Sequence, residues 1–260
     1  MHLSLEGKRA LITGGSQGLG KAMAMAFAAA GAEVMICARG AEPLAETSAL
    51  ITAETGGNVH TFSADVSTAA GCDAVYGAAV DRMGSVDVLV NNAGRATRGP
   101  FESLTDIAWQ DDLDLKIFAA IRLCRHVLPG MRAGGWGRIL NVVSTGGKTP
   151  NAGGAPTDVW RAAGIALTKS LAGEVAKHGI TVNALCTGKI MSEQWPRMHA
   201  RQAPDIPFEE FAARVGKTIP AGRMGEAGEF AAMALFLASP AASYVTGTAI
   251  NVDGGFCPVP

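Results

Sequence analysis

The chain has 260 residues, 48% of them apolar and only 17% charged, with a formal net charge of -1. So much apolar material, without a Pro/Ser-rich linker or a break in composition, predicts one large core and a single domain over residues 1–260. The near-zero charge excludes a general electrostatic pull toward nucleic acid or anionic membrane, and no run of about twenty apolar residues is present to span a bilayer.

The N-terminus carries no long apolar stretch, so a cytoplasmic protein acting on a small molecule, with no nucleic-acid or membrane partner, is expected. Cys37, Cys72, Cys124, Cys186 and Cys257 are scattered and odd in number, the pattern of thiols in a reducing compartment. His2, His60, His126, His178 and His199 form no metal-ligand spacing, and no metal is assigned.

The first elements carry the strongest signal. An apolar run, Arg9-Ala10-Leu11-Ile12, leads through Thr13-Gly14-Gly15-Ser16-Gln17-Gly18-Leu19-Gly20 into an alanine-rich segment, Lys21 to Ala30. This predicts a strand, a tight turn and a helix. Gly14 serves the turn, Gly18 lets a pyrophosphate approach the backbone, and Gly20 allows close helix packing, while the helix N-terminus offers N–H groups to an anion. A second strand, Glu33 to Ala38, completes the pattern of a dinucleotide site. Arg39 follows it, and no acid stands at positions 37 to 41 to grip a ribose 2′-hydroxyl. The pattern therefore favours NADP(H) over NAD(H).

A helix from about Pro43 to Thr55 precedes a third strand, Asn58 to Ser63. Asp65, just beyond it, is suited to accept from an adenine amino group or to cap the next helix, Ser67 to Met83. The fourth strand, Val86 to Val90, ends in Asn91-Asn92-Ala93-Gly94, small residues that let a cofactor lie against the backbone. A long helix from about Ile107 to Leu128, interrupted only at Pro129-Gly130, shows apolar Leu113, Ile117, Ala120, Ile121 and Cys124 at helical spacing. Arg138 to Val143 forms the fifth strand and ends at Ser144. A second long helix, Ala155 to Lys177, leads to the sixth strand, Ile180 to Leu185. Residues 188–222 then break the alternation with aromatics, prolines and basic residues, which suggests a mobile substrate cover or a helical hairpin of purely structural use. The last helix, Glu226 to Leu237, and a seventh strand, Thr248 to Val252, finish a doubly wound parallel sheet with helices on both faces.

The chain resembles the short-chain dehydrogenase/reductase family over nearly its whole length. The resemblance rests on the Thr13–Gly20 turn, Asp65-Val66, Asn91-Asn92-Ala93-Gly94, Gly137-Arg138-Ile139-Leu140-Asn141, Ile180-Thr181-Val182-Asn183, and Tyr244-Val245-Thr246-Gly247 through Val252-Asp253-Gly254-Gly255. It implies a Rossmann-like fold, hydride transfer between a nicotinamide cofactor and a carbonyl, enone or alcohol, and a homotetramer or dimer built on the two long helices. It also implies cofactor contacts from Gly14, Ser16, Gln17, Gly18, Leu19, Arg39, Asp65, Val66, Asn92, Ala93, Gly94, Arg161 and Ile190.

The family's catalytic Asn, Ser, Tyr and Lys carry over only in part. Ser144 matches the serine. Thirteen residues on, where Tyr-x-x-x-Lys is expected, stand Thr157 and Arg161, in a register fixed by Ala162-Ala163 and Leu167-Thr168-Lys169. Lys116 takes the asparagine position, seven residues after Trp109, and the Pro-Gly after the sixth strand is Thr187-Gly188. A phenol of pKa about 10 can be tuned to exchange protons near neutrality, whereas an aliphatic hydroxyl cannot. Arg161 can clamp ribose hydroxyls but stays protonated.

The leading expectation is an oxidoreductase in which Ser144 and Thr157 orient the substrate oxygen while Lys116, Asp158 or water supplies the proton. Lys116 suits this role if partial burial near Arg161 lowers its pKa; its bland alternatives are to replace a helix-bending hydrogen bond or to extend to solvent. The other expectations are a redox-neutral isomerase, lyase or cyclase using Lys116 or His199, and an inactive nucleotide-binding subunit.

Overall fold

A computed structural model describes residues 3–260, so His2 lies outside the described residues. Strands β1 (Arg9–Thr13), β2 (Glu33–Ala38), β3 (Val59–Ser63), β4 (Val88–Asn91), β5 (Gly137–Ser144), β6 (Ile180–Thr187) and β7 (Ala249–Val252) form one sheet in the order β3-β2-β1-β4-β5-β6-β7. Every pairing is parallel, as predicted.

Alternation along the strands decides what covers each face. Ile12, Ile36, Val90 and Leu140 point toward α1 (Gly18–Ala29), α2 (Ala41–Thr55) and α9 (Ala227–Ala238), where Phe27, Ile51 and Phe230 are fully buried. Their neighbours Leu11, Met35, Leu89 and Ile139 point the opposite way. They meet Val75 of α3 (Ala69–Met83), Leu123 of α5 (Ala119–Gly134) and Val175 of α6 (Thr157–Val175). Burial on both sides explains why these strands are continuous apolar runs.

Two elements depart from expectation. The long helix begins as α4 (Asp106–Leu113), widens into a π-helical turn over Asp114–Phe118, and continues as α5 to Gly134. It does not stop before Pro129, which lies exposed within α5. The buried stripe is Asp112, Lys116, Ala119, Ala120, Leu123, Cys124 and Val127, whereas Leu113 is only half-buried. The π turn adds a residue to the local repeat, so an unbroken 3.6-residue count misplaces the face.

Residues 188–222 contain two short helices, α7 (Gln194–Gln202) and α8 (Phe208–Gly216). His199 binds them together: its Nε2 is 2.7 Å from the Ile206 carbonyl, and its ring lies 5.6 Å from Phe208 and 5.4 Å from Phe211. A bridge between Ile190 and Gly225 pins the base of the insert.

Candidate active site

The strand order reverses between β1 and β4, and a cleft of about 1280 Å³ opens outside the carboxyl ends of the strands. This is where an open α/β sheet offers a crevice to ligands. Gly14 turns the chain at φ +66°, and a Cβ on Gly20 would lie 2.1 Å from the Gly14 carbonyl oxygen. The α1 N-terminus follows, with neither a side-chain cap nor an acid in its first turn. Its free N–H groups are therefore left for an anion.

Ser16, Gln17, Gly18, Leu19, Arg39, Asp65, Val66, Ala93, Gly94 and Ile190 also line the cleft. Burial pushes the Asp65 carboxyl up, but hydrogen bonds from Ser67, aided by Arg39 and Arg95, hold it below the usual range. Asp65 does not cap α3; Thr68 does, accepting from Gly71 N at 3.0 Å. The Asn92 amide is spent within the protein, donating to the Thr13 and Gly14 carbonyls at 2.9 and 3.0 Å.

These groups fit a phosphorylated dinucleotide: an uncapped helix end for pyrophosphate, Arg39 for added negative charge, and Asp65 for an adenine amine. Ser144 supplies a further observation. Its Oγ is buried at the cleft wall without a hydrogen-bond partner among the described residues, an arrangement expected of a hydroxyl kept for a ligand.

Beside Ser144 lies a buried polar cluster. Thr157 Oγ1 donates to the Thr97 carbonyl at 2.8 Å and accepts from Thr97 N and Lys116 Nζ, each at 2.9 Å. Lys116 Nζ also contacts Asp112 Oδ1, and the second Asp112 oxygen is 3.4 Å from Thr157 Oγ1. The Lys116 side chain is 1% exposed and that of Asp112 is 0% exposed, which excludes the solvated alternative for Lys116. Desolvation brings the Lys116 ammonium down to about 8 even though its contact with Asp112 works the other way.

Arg161 Nη1 donates to the Val142 carbonyl at 2.6 Å, and burial lowers its guanidinium to about 10. Its Nε and Asn91 Oδ1 have no hydrogen-bond partner among the described residues, and both residues line a void of about 10 Å³, close to the minimum for one water.

The structure thus brings Ser144, Thr157 and Arg161 to the cleft, with Lys116 sealed behind Thr157. Asp158 is turned to Arg98, 3.0 Å away, and to the Asn151 amide at 3.4 Å. His199 serves the insert. Asp112 was not singled out by sequence reasoning. Its signal is an i,i+4 acid–lysine pair that continues the apolar stripe at 119, 120, 123 and 124 backward onto the core face. Among the described residues, no three His, Cys, Asp or Glu side chains gather as metal ligands, and no helix is long and apolar enough to cross a membrane.

The protein-family model described as enoyl-(acyl carrier protein) reductase matches residues 14–257. Sorbitol dehydrogenase of Cereibacter sphaeroides is 35% identical over 256 residues, covering 97% of this chain and 98% of the relative. A 3-oxoacyl-[acyl-carrier-protein] reductase of Vibrio cholerae is 36% identical over 254 residues, with the same coverage of 97% and 98%. The crystal structure of L-sorbose reductase from Gluconobacter frateurii, complexed with NADPH and L-sorbose, superposes with a TM-score of 0.96 at 33% identity, covering 100% of both chains.

Proposed function

The chain belongs to the short-chain dehydrogenase/reductase family, and from that premise we propose that it is an NADP(H)-dependent oxidoreductase of a small carbonyl or alcohol. In this reading Thr157 and Arg161 stand in place of the family's tyrosine and lysine. The unpartnered Ser144 hydroxyl, in one cleft with an uncapped helix N-terminus and Arg39, carries the proposal. The NADPH complex of L-sorbose reductase supports the cofactor class.

A bound nicotinamide supplies or accepts the hydride. Ser144 donates a hydrogen bond to the substrate oxygen, and Arg161, anchored to the Val142 carbonyl, holds the ribose side of the cleft. Lys116, in contact with Thr157, is the nearest buried acid able to replace a phenol. Residues 188–222 cover the substrate, with Trp195, Met198 and Phe211 lining the cleft. The same reading makes the protein a cytoplasmic homo-oligomer, a tetramer or dimer. Phe101 and Ile107, 71% and 73% exposed beside the long helices, support self-association there.

Turnover of NADPH or NADP+ with ketones, enones, sugars and polyols is the test. Nicotinamide absorbance that stays constant across the whole panel overturns the reading. One observation favours a second reading, a redox-neutral enzyme or an inactive nucleotide-binding subunit: the Thr157 hydroxyl already makes three protein hydrogen bonds within 2.9 Å. That reading predicts tight dinucleotide binding with no hydride transfer.

A further inference from the structure

Asp112 of α4 and Lys116 of the π turn occupy positions on the buried stripe that α5 continues with Ala, Leu, Cys and Val. An ion pair there costs desolvation that an apolar pair would not incur. Core packing therefore does not explain it. The pair meets one hydroxyl, Thr157 Oγ1, and Thr157 lines the cleft while the lysine side chain is sealed behind it. The π turn over Asp114–Phe118 carries Lys116, and such turns are frequent at functional sites.

Building on the oxidoreductase reading, we propose that Asp112 is a positioning residue. It holds the Lys116 ammonium against Thr157 Oγ1, so that a proton passes from Nζ through the threonine hydroxyl to the substrate oxygen. In reduction, the carbonyl carbon receives the hydride of a reduced nicotinamide and the oxygen takes the Thr157 proton as that O–H bond breaks. Thr157 simultaneously takes one Nζ proton, which leaves a neutral Lys116 amine beside the Asp112 carboxylate. The threonine needs no alkoxide, because its two O–H bonds exchange in one step. For this, the hydroxyl rotates away from the Thr97 carbonyl, its present acceptor. Water in the cleft recharges the amine by the reverse route.

The groups that set the charge of Lys116 lie on three elements. Asp112 shares its helix, Arg161 faces it from α6, and Arg95 acts from the loop after β4. Of these only Asp112 favours the ammonium; both arginines oppose it.

The test is Asp112→Asn, followed by two independent readouts. Lysine side-chain NMR, with the Lys116 signal assigned by its loss in Lys116→Met, is expected to show the titration midpoint falling by about one pH unit or more, a tenfold loss of proton affinity. The alkaline limb of kcat for carbonyl reduction should move down by the same interval, with KM unchanged and Asp112→Glu moving it back. Lys116→Arg keeps a cation beside Asp112 but does not release its proton in this range, so its kcat should fall and its alkaline limb disappear. It also serves as the second variant where Asp112→Asn does not fold. A midpoint unmoved in Asp112→Asn overturns the proposal, as does a midpoint that moves without the rate profile. Absence of nicotinamide turnover in the parent protein overturns the oxidoreductase reading and the relay with it, while the NMR midpoint still decides whether Asp112 holds the charge.

Discussion

At two single residues the geometry gives sharp expectations. Arg39 stands at the cleft end of β2, where no acid competes for a ribose hydroxyl. A charge-assisted contact to a 2′-phosphate is worth about 1.5–3 kcal/mol. Arg39→Ala should therefore weaken NADP(H) binding roughly ten- to a hundredfold while leaving NAD(H) affinity nearly unchanged, as calorimetry would show. Lys116 provides a stability signature. Its folded pKa of about 8 lies below the ordinary lysine value of 10.5. Between those values the unfolded chain binds the proton and the folded chain does not, so this residue's contribution to stability rises with pH. The slope approaches on the order of 1 kcal/mol per pH unit. Buried thiols act in the opposite direction as pH rises, so the measurement is the difference between parent and Lys116→Met in urea unfolding at pH 7.5 and 10. A pH-independent difference refutes it.

Among the elements, the helix running from α4 through α5 is the most informative. Pro129 removes a backbone donor inside α5 and is exposed, so no packing compensates for the loss. Pro129→Ala should raise stability by about 1–3 kcal/mol, reduced by the greater freedom of the unfolded alanine chain, as read from the urea midpoint. The seven strands and the glycine turn were legible because periodicity, apolar runs and turn chemistry all speak locally. That Ser144, Thr157 and Arg161 would stand at one cleft was legible through register with a known motif. Asp112 was not, because its meaning depends on a π turn that rotates the stripe and on Thr157, 45 residues away in sequence. Nor was the hydrogen-bond saturation of Thr157, since the partner carbonyl of Thr97 belongs to an irregular loop.

At the scale of the whole molecule, burial governs reactivity. Burial pushes the thiols of Cys37 and Cys124 up to about 12 and those of Cys72 and Cys186 up to about 11, whereas Cys257 is only half-buried. An aromatic disulfide reagent at pH 8 should label one thiol quickly in the native protein and all five after denaturation. Rapid native labelling of several thiols would contradict this packing. Arg138 shows the same economy: fully buried without a carboxylate, it is satisfied by the Gly137 and Gly179 carbonyls at 2.8 and 3.2 Å and stacks 4.4 Å from the Trp136 ring. The sealed group of Asp112, Lys116 and Thr157 has one more consequence, for anyone redesigning the protein. Among the described residues, the three have no side-chain hydrogen-bond partners but one another, so exchanging one alone disturbs the other two. A bulky ring introduced at 157 would have to displace the lysine already in contact with that position. Redesign of this corner is therefore better served by varying the three positions together than by scanning them one at a time.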